Sequence, residues 1–347
     1  MIEFYKGKKV LITGHTGFKG TWLTKILVNA GAEVCGYSRC SEKDPSLFAL
    51  SDVKKDIRHI KGDVRDYQHL QEVFSSFLPE IVFHLAAQPI VRESYENPLY
   101  TYETNVMGTV NVLEAIRRTV SVKSVVIVTT DKVYRNNEWP WSYRENDALD
   151  GFDPYSNSKS CAELVTASYK RSFPSLPPIS TARAGNVIGG GDFAKDRIIP
   201  DCVRAASNGE AIIVRNPNSM CPYQHVLEPL FAYLLIAEKQ YHDPALAGSY
   251  NIGPEDKDCV TTGELVSLFC NKWGCGSSWI DKSEPNAPHE AGFLKLDCSL
   301  IKRTFGWHPR WPIDTCMDMV CQFGKLWLSK GDIQAELNKE ISDYYES

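Results

Sequence analysis

The sequence predicts an α/β fold, a doubly wound parallel sheet covered by helices on both faces, followed by a smaller C-terminal α/β region. Two observations carry this. In the first half, short β-branched runs alternate with helix-length amphipathic segments, the pattern of consecutive βαβ units. After about residue 179, proline and glycine thicken and strands stop alternating cleanly with helices.

Five strands are read in order: residues 8–14 (KKVLITG), 33–38 (EVCGYS), 57–64 (IRHIKGDV), 80–87 (EIVFHLAA) and 124–130 (SVVIVTT). Between them, segments 20–30 and 104–118 space Leu, Ile and Val three and four residues apart, as crossover helices do. Right-handed crossovers then build a Rossmann-type sheet. Further on, 225–239 reads as another sheet-covering helix and 248–252 as a strand, so the chain is expected to return to the first domain there. The expected division is 1–185 with about 223–252 for the first domain, and 186–222 with 253–347 for the second. Trp307 and Trp311 predict a packed C-terminal region.

With 43% hydrophobic and 23% charged residues over 347 positions, the composition is that of a globular protein with a sizeable core. A formal net charge of -5 supplies no basic field for a phosphate backbone, so no nucleic-acid partner is expected. The longest apolar run, residues 230–237, is shorter than the roughly 20 residues of a membrane-spanning helix. The opening MIEFYKGKKVLITG passes into a strand without the apolar stretch of a secretory signal, so a cytoplasmic location is expected. Eleven cysteines without a C-x-x-C pair read as reduced thiols, with no metal site.

The first strand runs into Gly14-His15-Thr16-Gly17-Phe18-Lys19-Gly20, and a helix follows at once. Glycines there allow a tight turn and close approach of a pyrophosphate to the positive helix end; the alternative is an ordinary strand-to-helix turn. After the second strand, Ser38-Arg39 stands where a carboxylate clasps an adenosine ribose. Arg39 is open to three readings: accepting a 2′-phosphate, which favours NADP; stacking on adenine in an NAD enzyme; or facing solvent. Asp63 ends the third strand, either accepting from the adenine amino group or capping a helix. The fifth strand delivers Thr129-Thr130-Asp131-Lys132 to the carboxyl end of the sheet, where ligands bind in open α/β folds. Beyond it, Tyr155 and Lys159 fall four residues apart on one helix face, so an ammonium near a phenol brings its pKa down; the alternative is a plain exposed face. His15 and His84, in or beside strands, read as structural histidines.

Gly14, Gly17 and Gly20, then Thr130, then Tyr155 and Lys159, in that order on a doubly wound pattern, resemble the extended short-chain dehydrogenase/reductase superfamily. Within it, LITGHTGFKGTWL, HLAAQPIV, TTDKVYRNNEWPW, YREND, DPYSNSKSCAEL, RAGNVIGGGD, QHVLEPL and PHEA..LKLD resemble the CDP-glucose 4,6-dehydratases. The resemblance implies a bound NAD held by Gly14, Thr16, Gly17, Phe18, Gly20, Ser38, Arg39, Asp63, Val64, Leu85, Ala86, Ala87, Thr104, Tyr155 and Lys159. It implies catalysis by Thr130, Asp131, Lys132, Tyr155 and Lys159: oxidation at the sugar C4, elimination of water across C5 and C6, and hydride return to C6. Lys132 is then either the C5 base or only a partner for Asp131. The nucleoside-diphosphate sugar falls to Gln88, Asn105, Arg183, Asn186, Arg197, Arg215 and Tyr223, with a surface-charge alternative for each arginine. Glu145 and Arg144 follow a Trp-rich loop placed to cover the sugar. One departure stands out: Cys221 occupies the position where the pattern has an arginine that contacts the diphosphate, and Phe193 and Tyr223 replace tryptophans. The alternative enzyme is a nucleotide-sugar C4-epimerase or decarboxylase. Relatives pair through two long helices, here 105–118 and 155–171, so a homodimer or homotetramer is expected.

Overall fold

In a computed structural model that describes residues 1–39, 45–283 and 292–347, strands β1 (Lys9–Thr13), β2 (Glu33–Ser38), β3 (Arg58–Lys61), β4 (Ile81–His84), β5 (Ser124–Val128), β6 (Ile179–Ala184) and β7 (Ser249–Ile252) form one sheet. The order is β7-β6-β5-β4-β1-β2-β3 and every pairing is parallel. The sequence order reverses between β1 and β4, which opens a crevice at their carboxyl ends. Of the motif stretches, PHEA at 288–291 lies outside the described residues.

Side chains alternate across this sheet because successive strand residues point to opposite faces. Leu11, Val82, Val125 and Ile127 share a core with Leu70 and Phe74 of helix α2 (Tyr67–Phe77) and Val112 and Ile116 of helix α3 (Gly108–Arg117). Val10, Ile12, Ile81, Phe83 and Val126 face the other way, toward Trp22 and Ile26 of helix α1 (Phe18–Asn29) and Leu230 and Leu234 of helix α4 (Leu227–His242). Each such side chain contributes about 1.5–3 kcal/mol when fully buried.

The expected strands stop short at their carboxyl ends. The one at 57–64 ends at Lys61, since Gly62 presses against the Tyr37 ring so closely that a Cβ would lie 2.2 Å from it. Those at 80–87 and 124–130 end at His84 and Val128, and the remaining residues become loops at the crevice. The helix expected at 104–118 starts earlier, as Pro98–Tyr102, and passes through a π turn, Glu103–Met107, before α3. Pro98 at the first helical position was its start signal.

β7 hydrogen-bonds to β6, so the chain does rejoin the sheet. Gln240 of α4 fastens that return, donating to Ser124 Oγ and the Val125 carbonyl and accepting from Ser180 Oγ. Outside the sheet, short strand pairs join Ile212–Val214 to Trp279–Asp281 and Met220–Cys221 to Val260–Thr261. Trp307 and Trp311 are buried.

Candidate active site

The glycine turn is tight for steric reasons. Gly14 sits at φ +78°, and a Cβ there would lie 2.7 Å from the Ala86 amide of the β4 loop. At Gly20 a Cβ would come within 2.1 Å of the Gly14 carbonyl, whereas Gly17 has that oxygen no nearer than 3.4 Å. The turn therefore leaves bare backbone at the head of α1. Thr16 and Ser38 hydroxyls meet at 2.6 Å, tying the turn to the end of β2. Leu85 and Ala86 close the opposite side, their amides donating to the carbonyl and hydroxyl of Thr13. Val64, buried behind them, packs so closely on Gly108 that a Cβ there would lie 2.7 Å from its Cγ2.

At the far side of this groove Arg39 lies over the Tyr100 ring, 5.4 Å from its centroid, and 3.9 Å from the Asp63 carboxylate. Asp63 accepts from the Arg65 backbone and its guanidinium; burial opposes this, but the Arg65 bonds prevail and hold the carboxyl below its ordinary range. The helix cap weighed for Asp63 belongs instead to Asp66, which accepts from His69 N. Thr104 Oγ1, in the π turn, is buried without a hydrogen-bond partner. The glycine turn fits a dinucleotide, being a backbone cradle that side chains would fill.

His15 and His84 are both structural. His15 Nε2 meets His59 Nδ1 at 2.7 Å, and His84 bridges Thr13 and Thr109 at 2.7 and 3.2 Å. Burial, chiefly, lowers each to about 3, so both are neutral at pH 7.

Thr130, Asp131, Lys132 and Tyr155 line a cleft of about 320 Å³. Thr130 begins the short turn Asp131–Val133, and its hydroxyl donates to Asp131 Oδ1 at 2.9 Å. Tyr155 lies near the start of the helix Pro154–Ser172, capped by Asp153, which accepts from Ser156 N. Its phenol is within hydrogen-bonding reach of Thr130. Burial keeps that phenol above its ordinary value, against the pull of Thr130 and the Lys132 ammonium, so the softening expected from neighbours is outweighed by desolvation. Lys159, one turn on, donates to the Val128 carbonyl at 3.0 Å. Burial first, then the Lys19 charge, bring it down to about 7. Asp131 is shifted up by burial, against the nearby Lys132.

The same cleft is lined by Asn186, Arg197, Arg215 and Tyr223, together with Cys221. Arg197 pairs with Asp192 at 2.8 Å and Arg215 with Asp196 at 3.2 Å. The Tyr223 hydroxyl is engaged with Thr262 at 2.9 Å. Three expected substrate residues lie elsewhere. Arg183 is buried in a two-pronged pair with Glu163, both contacts 2.9 Å, and donates also to Tyr134 and the Glu145 carbonyl, so its fork is consumed by the fold and does not line the cleft. Gln88 and Asn105 bind each other and, through Asn105, Ser158 of the Tyr155 helix. They brace the loop at 89–92 that borders the cleft. Glu145 accepts from the Asn251 amide and so faces β7. Sequence reasoning missed Lys19 and Arg92, both in the cleft wall; the signal was available, since each stands one loop beyond a sheet strand's carboxyl end.

A model of the GDP-mannose 4,6 dehydratase family matches residues 11–320. The chain is 46% identical over 350 residues to CDP-glucose 4,6-dehydratase of Salmonella typhimurium, covering 99% of this chain and 97% of that protein. Among solved structures, UDP-glucose 4-epimerase of Thermotoga maritima with UDP-glucose superposes at TM-score 0.81 with 20% identity, covering 92% of this chain and 99% of that one. dTDP-glucose 4,6-dehydratase of Bacillus anthracis in complex with NAD gives 0.79, also at 20% identity, over 92% and 97%. These two share the fold. A family match across most of the sequence, and near-complete coverage of a relative at that identity, establish that the chain belongs to the GDP-mannose 4,6 dehydratase family of the short-chain dehydrogenase/reductase superfamily, alongside the CDP-glucose 4,6-dehydratases.

Proposed function

We propose that the protein is a nucleotide-sugar 4,6-dehydratase acting on CDP-glucose with retained NAD. The observation that carries this is that Thr130, Asp131, Lys132 and Tyr155 all line one cleft: an epimerase has use for the first and last, but only a dehydration needs the acid and base between them. NAD would be held by the glycine turn at Gly14, Gly17 and Gly20, and would supply a reversible hydride acceptor.

Thr130 orients the sugar 4-hydroxyl, and Tyr155 takes its proton as the C4 carbonyl forms. Lys159, one turn beyond Tyr155 and anchored on the Val128 carbonyl, would hold the nicotinamide ribose. The ketone acidifies the C5 proton, which the neutral amine form of Lys132 removes, becoming ammonium, while protonated Asp131 gives its proton to the departing 6-hydroxyl. Burial favours the protonated form of Asp131, which suits an acid. Asn186, Arg197 and Arg215 address the nucleotide diphosphate, without the arginine that Cys221 replaces. The Asp63 carboxylate beside Arg39 opposes a 2′-phosphate and so favours NAD over NADP.

Incubation with CDP-, dTDP-, UDP- and GDP-hexoses plus NAD, followed by mass spectrometry, tests the reading. The expected product is CDP-glucose less one water; an isomer of unchanged mass would make the protein an epimerase, and a preference for another base would remove CDP. Gly20→Ala, whose methyl collides with the Gly14 carbonyl, is expected to weaken NAD at least about tenfold in a binding titration.

We infer a homodimer, or a tetramer built from it, across the surface where Leu99, Met107 and Leu164 are exposed. Among the described residues no helix is long and apolar enough to cross a membrane. A cytoplasmic location remains our reading from the sequence.

A further inference from the structure

We propose that Asp196 is an internal stand-in for the substrate's diphosphate: its carboxylate gathers Arg92 and Arg215, and the diphosphate takes over both guanidiniums when it binds. This rests on the nucleotide-sugar reading above, and it adds Arg92 to the residues that recognise the substrate.

All three side chains line the cleft, which they reach from separate parts of the fold. Arg92 belongs to the short helix Val91–Glu96, beyond the loop that follows β4 of the main sheet. Arg215 comes directly after the strand Ile212–Val214, which pairs outside that sheet. Asp196 precedes the helix Ile198–Ser207. A single oxygen, Asp196 Oδ1, accepts from Arg215 Nη1 at 3.2 Å and has Arg92 Nη1 at 4.0 Å. Two guanidiniums converging on one anionic oxygen is also how a phosphate oxygen is held, since the planar fork matches carboxylate and phosphate alike.

The backbone at Asp196 is unusual as well. Its φ is +60°, in the left-handed region that few residues other than glycine adopt and that Asp and Asn tolerate best. Such strain concentrates at ligand clamps and switch segments.

Nearby Asp192 supplies the contrast that decides which carboxylate can yield. It holds Arg197 at 2.8 Å and its side chain is only 6% exposed, so that pair is built into the fold. The Asp196 side chain is 38% exposed, and Arg92 and Arg215 are 34% and 43% exposed. Ion pairs as open as these contribute little and exchange readily. A diphosphate brings a second negative charge to the same two guanidiniums, and the displaced carboxylate turns to water. Until then Asp196 keeps the arginines together, and by competing for them it weakens substrate binding.

The test is the affinity of CDP, UDP, dTDP and GDP, with the matching nucleosides as controls, each titrated with NAD present into wild type, Asp196→Asn and Arg92→Met. Asn accepts the same backbone conformation, and circular dichroism checks that both variants are folded. For the diphosphate that wild type binds best, the proposal expects Kd to fall about fivefold in Asp196→Asn and to rise about tenfold in Arg92→Met, with the nucleoside within about twofold of wild type in both. Weaker or unchanged diphosphate binding in Asp196→Asn overturns it, because the carboxylate would then organise the arginines without competing for them. So does an Arg92→Met variant that binds like wild type, or a nucleoside that shifts as far as its diphosphate. A preferred base other than cytosine removes CDP from the reading above and leaves the clamp to be judged on the same two shifts. If wild type binds none of the four, the nucleotide-sugar reading itself falls, and the clamp with it.

Discussion

Lys132→Ala will still oxidise the sugar at C4 but will no longer exchange the C5 proton with deuterated water, and overall turnover will drop by about 10³-fold. The two half-reactions separate because they use different side chains. In the proposed mechanism Tyr155, near Thr130, serves the 4-hydroxyl proton. Asp131, buried and shifted toward its protonated form, is the acid in the proposed mechanism. Lys132 also lines the cleft, next to Asp131 in the turn that directly follows β5. Single-turnover absorbance of the reduced nicotinamide reports oxidation, and mass spectrometry of recovered sugar reports exchange. Asp131→Asn gives the complementary pattern, exchange at C5 without loss of water. Wild-type exchange in Lys132→Ala would relieve that lysine of the base role and leave it as a charge partner of Asp131.

The parts of this site that could be read without coordinates are those whose chemistry is local. A strand, three glycines and a helix within 20 residues define a turn, and Tyr155 and Lys159 share a face because four residues nearly complete a helical turn. The errors came from partners far apart in sequence. Arg183 looked like a phosphate ligand because a guanidinium suits phosphate; nothing local revealed that Glu163, on another element, already occupies it. Gln88 and Asn105 looked like ligand contacts and are mutual braces, joined across 17 residues. The reverse holds for Lys19: it was part of a recognised string, but a lysine in a first helical turn reads as surface until the cleft wall opposite it is known. The π turn at Glu103–Met107, which leaves Thr104 Oγ1 buried and unpartnered, has no periodicity signal of its own.

Glu163→Gln will destabilise the protein by about 3–5 kcal/mol, seen as a lower denaturant midpoint at unchanged slope. The Glu163 carboxylate accepts from Thr129, Thr181 and both prongs of Arg183, and the two charged side chains are only 2% and 3% exposed. An amide can accept at one oxygen only and carries no charge, so the substitution strands a buried guanidinium whose other partners, Tyr134 Oη and the Glu145 carbonyl, are neutral. Replacing both residues by methionine is expected to recover a large part of the loss, because it removes the uncompensated charge along with its partner. A single-variant loss below about 1 kcal/mol would mean that water or a shifted backbone satisfies Arg183, and that the pair is weakly held. The consequence extends to chemistry. Thr129 immediately precedes Thr130 and Asp131, so a carboxylate that fixes the Thr129 hydroxyl at 2.6 Å also fixes the strand end from which the acid is presented. Glu163→Gln is therefore expected to lower kcat in the fraction that remains folded, with KM for the nucleotide sugar little changed, since Arg197 and Arg215 are anchored by Asp192 and Asp196 instead.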